Sequence, residues 1–216
     1  MSVITIERKV LEKNDIVAAE NRKAFQENKT FTLNLVSSPG SGKTSIVERT
    51  AYLSKRKFKL GVIEGDVQTN LDAERVARYG VPVVQIVTNG SCHLEASLVR
   101  NAYNQFEDKS FDVLFIENVG NLVCPAAYDL GEDNKVVIVS TTEGDDKPLK
   151  YPAMFRNSSV LIINKTDLIP YLSCSLETLR NNALQINPDL KIFETSCKTD
   201  EGIKEWCNWI ESKMMK

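Results

Sequence analysis

The chain has 216 residues, 27 Lys and Arg against 29 Asp and Glu, 42% apolar content, five Cys and a single His. That length suits one domain, and a fold of this size hides roughly 70–75% of its unfolded surface, so its core needs neither disulfides nor a structural metal. A net charge of −2 with both signs interspersed argues against a standing nucleic-acid binder, which would show a basic face.

The N-terminal residues carry charge in every turn and lack the apolar core of a signal peptide. No later apolar run reaches the ~20 residues of a membrane span. A cytoplasmic protein without a membrane partner is therefore expected. Val10–Asn28 has the spacing of an amphipathic helix with Leu11, Ile16, Ala19 and Phe25 on its apolar side, expected to pack on a sheet edge. Residues 1–30 read as an N-terminal helical segment packed on residues 31–216, a single domain overall.

From there, apolar runs recur at Phe31–Val36, Lys59–Ile63, Val83–Val87, Phe111–Ile116, Lys135–Ser140, Val160–Ile163 and Lys191–Phe193. Short continuous runs of this kind suit strands buried on both faces of a parallel sheet. Between them, Thr44–Lys55, Asp72–Tyr79, His93–Phe106, Leu176–Ile186 and Asp200–Met214 have helical spacing. The alternation predicts an α/β fold, a mostly parallel sheet of about seven strands with helices on both faces, and the loop after the first strand, residues 37–44, makes it a P-loop NTPase fold. Asn118–Asn134 is the longest stretch without periodicity, and such loops in a compact domain tend to carry function.

The first strand ends in Ser-Ser-Pro-Gly-Ser-Gly-Lys-Thr, residues 37–44, and passes directly into a helix. This is a P-loop in its proper setting, with Ser37 where the pattern has its first Gly. Pro39, Gly40, Ser41, Gly42, Lys43, Thr44 and Ser45 are the expected phosphate-binding set: backbone N–H groups converge on phosphate oxygens, Lys43 reaches the β/γ-phosphates and Thr44 binds Mg²⁺. The late strand Val160–Ile163 leads into Asn164-Lys165-Thr166-Asp167, the NKxD pattern of guanine readers. Asp167 accepts from guanine N1–H and the 2-amino group, Asn164 orients the loop and the Lys165 stem covers the base. Adenine offers neither donor, a mismatch that costs roughly 10⁴-fold. Ser196, Cys197 and Lys198 resemble the element whose central N–H reads guanine O6, so the nucleotide is expected to be GTP/GDP.

Asp66, after the second strand, is placed to hold Mg²⁺ through water. Glu117-Asn118-Val119-Gly120 occupies the position of the DxxG switch, with Glu117 in place of Asp and Gly120 free to bring its N–H onto the γ-phosphate. Lys43, Asp66, Glu117 and Gly120 are therefore the expected catalytic residues. Asn121 follows Gly120, so the Gln that orients attacking water in Ras-like proteins is absent, and slow intrinsic hydrolysis is expected. The five Cys show no CxxC and no tight spacing, which predicts reduced thiols. Cys92 and His93 open the helix that starts there, and Cys124 lies in the long loop beyond the switch. Thiolates plus imidazole suit Ni²⁺ or Zn²⁺, with water or a second subunit completing the shell. Cys174, Cys197 and Cys207 read as small buried side chains.

These motifs, together with Glu64-Gly65-Asp66-Val67, Asp72-Ala73-Glu74-Arg75, Cys92-His93-Leu94-Glu95-Ala96, Ile116 through Pro125 and Thr141 through Asp146, resemble the HypB family of nickel-incorporation GTPases that mature [NiFe]-hydrogenase. The resemblance covers nearly the whole chain. It implies the SIMIBI class of GTPases, which dimerise across the nucleotide face, with Cys92, His93 and Cys124 binding Ni²⁺ or Zn²⁺ at the dimer interface. It also implies a companion nickel-delivery protein and the hydrogenase large-subunit precursor as partners. The chain shows no Cys-rich N-terminal nickel motif and no His-rich stretch, so nickel storage through such segments is not expected. Lys147 or Lys150 is placed to approach phosphate across the dimer.

Competing readings are an accessory GTPase of the urease or cobalamin type, an ATP-dependent small-molecule kinase, and a metal-sensing module with a structural nucleotide. The Cys92, His93 and Cys124 pattern speaks against the first and the guanine reader against the second. GTP turnover separates the third.

Overall fold

The computed structural model describes residues 6–68 and 71–214; the first five residues of the N-terminal segment lie outside them. Seven strands, β1 (Phe31–Ser37), β2 (Leu60–Asp66), β3 (Val83–Val87), β4 (Val113–Glu117), β5 (Asn134–Ser140), β6 (Val160–Asn164) and β7 (Lys191–Thr195), form one sheet in the order β3-β2-β4-β1-β5-β6-β7. Every neighbouring pair is parallel. The central strands are buried along their length because helices cover both faces, the condition that makes a parallel strand an unbroken apolar run. β1, β2 and β4 run past their apolar cores into Ser37, Asp66 and Glu117, which delivers polar side chains to the carboxyl ends of the strands. In open α/β sheets that is where ligands bind.

The helices are α1 (Ile6–Glu27), α2 (Lys43–Ser54), α3 (Leu71–Ala77), α4 (Ala96–Gln105), the short α5 (Lys147–Lys150) and α6 (Pro152–Arg156), α7 (Leu176–Ile186) and α8 (Ile203–Met214). Helix α3 stops two residues before Tyr79, ahead of Gly80 at φ 76°. Helix α8 starts three residues later than its spacing predicts, because Asp200 and Gly202 take left-handed φ values of 64° and 68° and turn the chain first. On one face α2 and α8 close over Leu33, Leu35, Phe115 and Ile162 around the fully buried Trp206, whose Nε1 donates to Thr50 Oγ1 at 3.0 Å. The other face carries two apolar clusters. One joins Phe25 of α1 and Tyr103 of α4 to Ile63 and Leu114; the other joins Phe155 of α6 and Leu179 of α7 to Val137 and Leu161.

Helix α1 lies on this second face beside α4, not on the sheet edge. Of the side predicted to be apolar, Phe25 is buried and Leu11 half-buried, whereas Ile16 is 63% exposed and Ala19 faces out; Asn14, Ala18 and Asn21 are buried in their place. Two buried asparagines are tolerable because their hydrogen bonds are met. Asn14 accepts from the Ala96 N–H (2.9 Å) and donates to Asp129 O (2.7 Å), and Asn21 donates to Ala96 O (2.8 Å) and Leu130 O (3.0 Å). Arg22 adds a bidentate pair with Asp129. Among the described residues, no helix is long and apolar enough to cross a membrane.

Candidate nucleotide and metal site

The P-loop runs from Ser37, the buried last residue of β1, to the first turn of α2. Ser37 has no left-handed φ, so a side chain is accommodated where the pattern has Gly. Gly42 does need its glycine: it sits at φ 96°, and a Cβ there would meet Asn164 Nδ2 at 2.4 Å. The loop is tied down from below by Ser41, whose single hydroxyl proton is shared between Glu143 Oε1 (2.6 Å) and Ser38 O (2.9 Å). A cleft of about 520 Å³ opens over it, lined by Pro39, Gly40, Gly42, Lys43, Thr44, Ser45, Asp66, Asp72, Arg75, Gly120 and Lys165.

At the floor of the cleft the Thr44 hydroxyl donates to Glu117 Oε1 at 2.7 Å, which leaves the Thr44 oxygen lone pairs free for a cation. Carboxylate oxygens of Glu64, Asp72 and Glu117 lie within 4.8 Å of one another. Burial raises the Glu117 pKa, opposed by the Lys43 ammonium and the Thr44 hydrogen bond. Burial, aided by Glu117, Asp66 and Asp72, pushes Glu64 up to about 8. One buried oxygen of Glu64 and one of Glu117 have no partner. This donor set suits Mg²⁺, a hard cation that prefers carboxylate and hydroxyl oxygens. Glu64 and Asp72 are missed by sequence reasoning; the signal for Glu64 is an acid near the C-terminal end of an apolar strand, which register sets beside Glu117, while Asp72 arrives from the first turn of α3.

The switch loop meets the P-loop at Gly120, where a Cβ would sit 3.2 Å from Pro39 backbone atoms. Asn121, in the position of the water-orienting Gln, is engaged elsewhere: it donates to Cys92 O (3.2 Å) and accepts from the Val123 N–H (2.8 Å). At the far side of the cleft Asn164 donates to Ser41 O (3.0 Å) and accepts from Thr195 Oγ1 (3.2 Å), joining the NKxD loop to the P-loop. Lys165 adopts φ 63° and its Nζ donates to Gly40 O at 2.7 Å. Ser196 donates to Asp167 Oδ1 at 2.6 Å, and the Lys198 N–H donates to Ser196 Oγ. The Cys197 thiol is pushed up to about 12 by burial and is inert at neutral pH.

Cys92, His93 and Cys124 come together from two loops, with ligand atoms within 4.8 Å of one another. The Cys92 and Cys124 sulfurs are 2.8 Å apart, and His93 Nδ1 is 3.7 Å from Cys92 Sγ. Hydrogen bonding to Cys124 raises the Cys92 pKa, and burial lowers that of His93, leaving a neutral imidazole able to ligate. The His93 ring lies on Tyr128, centroids 4.0 Å apart. Cys124 starts a 3₁₀ turn, Cys124–Ala126. Cys92 and His93 do not open a helix as their spacing suggests. The chain bends at Cys92 and His93, Glu95 is extended (φ −107°, ψ 155°) and α4 begins at Ala96, with Leu94 turned inward beside Gly65. All five cysteines are free thiols.

The strand order, the P-loop cleft and the acidic floor define a P-loop nucleotide-binding protein. The family described as CobW/HypB/UreG, nucleotide-binding domain, matches residues 31–194. The hydrogenase maturation factor HypB of Azotobacter vinelandii is 52% identical over 97% of this chain and 69% of its own length. Crystal structures of HypB from Archaeoglobus fulgidus (39% identity, TM-score 0.89, 94% of this chain and 100% of that one) and from Helicobacter pylori in complex with nickel (40%, 0.90, 94% and 95%) superpose on it. The chain belongs to the HypB family of hydrogenase maturation factors.

Proposed function

We propose that this protein binds and slowly hydrolyses GTP and carries nickel, or zinc, at a Cys92, His93 and Cys124 site shared across a homodimer, assisting nickel insertion into [NiFe]-hydrogenase. It works in the cytoplasm with a companion nickel-delivery protein and the hydrogenase large-subunit precursor, without nucleic acid or membrane. Within the N-terminal segment, residues 1–30, helix α1 (Ile6–Glu27) serves as a support packed on the G domain, residues 31–216.

The observation that carries this reading is the placement of Cys124 in the same loop as Gly120, whose backbone abuts the P-loop. In this reading the P-loop amides and Lys43 hold the β/γ-phosphates, Asp167 reads guanine, and Thr44, Asp66 and Glu117 would hold Mg²⁺, which when bound would supply charge neutralisation at the phosphates. Gly120 donates its N–H to the γ-phosphate. When that contact is lost the loop bearing Cys124 relaxes, and the ion is held differently in the GTP and GDP states, as coupling between two sites requires. The engaged side chain of Asn121 supports a slow intrinsic rate.

The test is Ni²⁺ equilibrium dialysis on wild type and Cys124→Ala, each with GDP and with a non-hydrolysable GTP analogue, alongside size-exclusion chromatography with light scattering. Lower nickel affinity and altered dimerisation in the variant, with a difference between nucleotide states in wild type, is the expected result. Identical behaviour of variant and wild type refutes the shared site, and equal affinity in the two states refutes the coupling.

A further inference from the structure

Behind the metal loops, a row of buried polar side chains runs between the two apolar clusters of the second face. Lys135 of β5 is 8% exposed, and its Nζ donates to Pro125 O (3.0 Å) and Tyr128 O (2.9 Å) and more weakly to Ala126 O (3.4 Å). Its counter-charge is Glu132 at 3.8 Å, which accepts from Asn34 Nδ2 (3.0 Å) and the Leu130 N–H (2.7 Å). Asn34 accepts from Asn118 Nδ2 (3.2 Å), and Asn118 Oδ1 accepts the N–H groups of Leu94 (3.2 Å) and Val119 (3.0 Å). The row thus ends at one side on the carbonyls that follow Cys124 and at the other on the N–H that follows His93.

We propose that Lys135 is a positioning residue of the metal site. One ammonium gathers the carbonyl of Pro125, next to Cys124, and that of Tyr128, whose ring supports His93. It therefore fixes two of the three ligands with a single group, and Glu132 keeps the charge balanced. A buried ion pair is a poor stabiliser compared with apolar side chains of similar volume, so stability alone accounts weakly for it. Partners one shell behind a metal set the orientation of its ligands.

The inference rests on Cys92, His93 and Cys124 being the nickel site, and the experiment separates the two. Ni²⁺ is titrated into wild type, Cys124→Ala and Lys135→Met/Glu132→Gln, following thiolate-to-nickel charge-transfer absorption, with thermal unfolding measured in parallel. The double variant is expected to bind Ni²⁺ about 10–100-fold more weakly with a changed band shape. Should it fail to unfold cooperatively, Lys135→Arg replaces it and is read the same way; a guanidinium keeps the charge but spreads its donors over a planar fork in place of three on one nitrogen, which shifts the carbonyls of Pro125 and Tyr128. If wild type and Cys124→Ala bind alike, the metal site itself fails and the proposal with it. If they differ but the folded Lys135 variant stays within about twofold of wild type, whatever its Tm, the role of Lys135 is overturned.

Discussion

Glu64 and Glu117 stand opposite each other in adjacent strands, paired in register between β2 and β4, and both are almost fully buried. Two carboxylates side by side in a low-dielectric floor cannot both ionise without a cation between or beside them. In the apoprotein Glu64 keeps its proton to about pH 8.

This arrangement sets a pH dependence. The folded pKa of Glu64 is raised above the unfolded value, so the native state holds more protons than the unfolded chain between about pH 4.5 and 8, and its stability falls as pH rises through that window. Glu64→Gln is expected to flatten the fall and to stabilise the metal-free protein by roughly 2–4 kcal/mol at pH 8.5, with little effect at pH 4.5. Urea unfolding at the two pH values checks this; equal stability of variant and wild type at pH 8.5 contradicts it.

Gly120→Ala places a methyl 3.2 Å from Pro39 backbone atoms, which cannot swing aside as a side chain can. The switch loop must then stand off from the P-loop. Affinity for a GTP analogue is expected to drop about tenfold, roughly 1.4 kcal/mol, with a smaller loss for GDP, as read by fluorescent-nucleotide titration. An equal loss for both nucleotides assigns the effect to general misfolding instead.

Asp167 is held by the Ser196 hydroxyl on one oxygen, leaving the other for the base. In Asp167→Asn the same hydroxyl donates to the amide oxygen, which turns the NH₂ toward the base. Guanine then meets donor against donor, whereas xanthine offers a carbonyl at that position. GTP affinity is expected to fall by roughly 10³–10⁴-fold with preference passing to xanthosine triphosphate, measured by competition binding.

Asn21 in α1 bonds the carbonyl of Ala96, the first residue of α4, and that of Leu130 in the loop before β5. Asn21→Ala strands both acceptors and is expected to cost about 2 kcal/mol in chemical denaturation. Asn28→Ala, whose amide bonds only within an exposed turn, is expected to cost well under about 1 kcal/mol.

The strands were legible because burial on both faces writes them as apolar runs, and the P-loop because its geometry is local to eight consecutive residues. The inward side of α1 is only partly legible because apolar spacing treats Asn as an outward residue, whereas Asn14 and Asn21 are buried through hydrogen bonds to carbonyls more than 70 positions away. Helical spacing starts that helix at His93 because Leu94 fits the period, although Leu94 reaches the core beside Gly65 from outside α4. Glu64 beside Glu117, and Lys135 beneath Cys124 and Tyr128, depend on strand register and loop packing that no sequence window contains.

The two faces of the sheet differ in how they hold together. One is a continuous apolar slab centred on Trp206; the other is two plates meeting along Asn34, Asn118, Glu132 and Lys135. Water can replace hydrogen bonds along that line but not apolar contacts on either side of it. Local opening is therefore expected there first, so amides of Leu94, Val119 and Leu130 exchange with deuterium ahead of those in β1 and β5. Among the described residues, the sheet has a fold line under the loops that carry Cys92, His93 and Cys124, and an unbroken apolar slab on its other side.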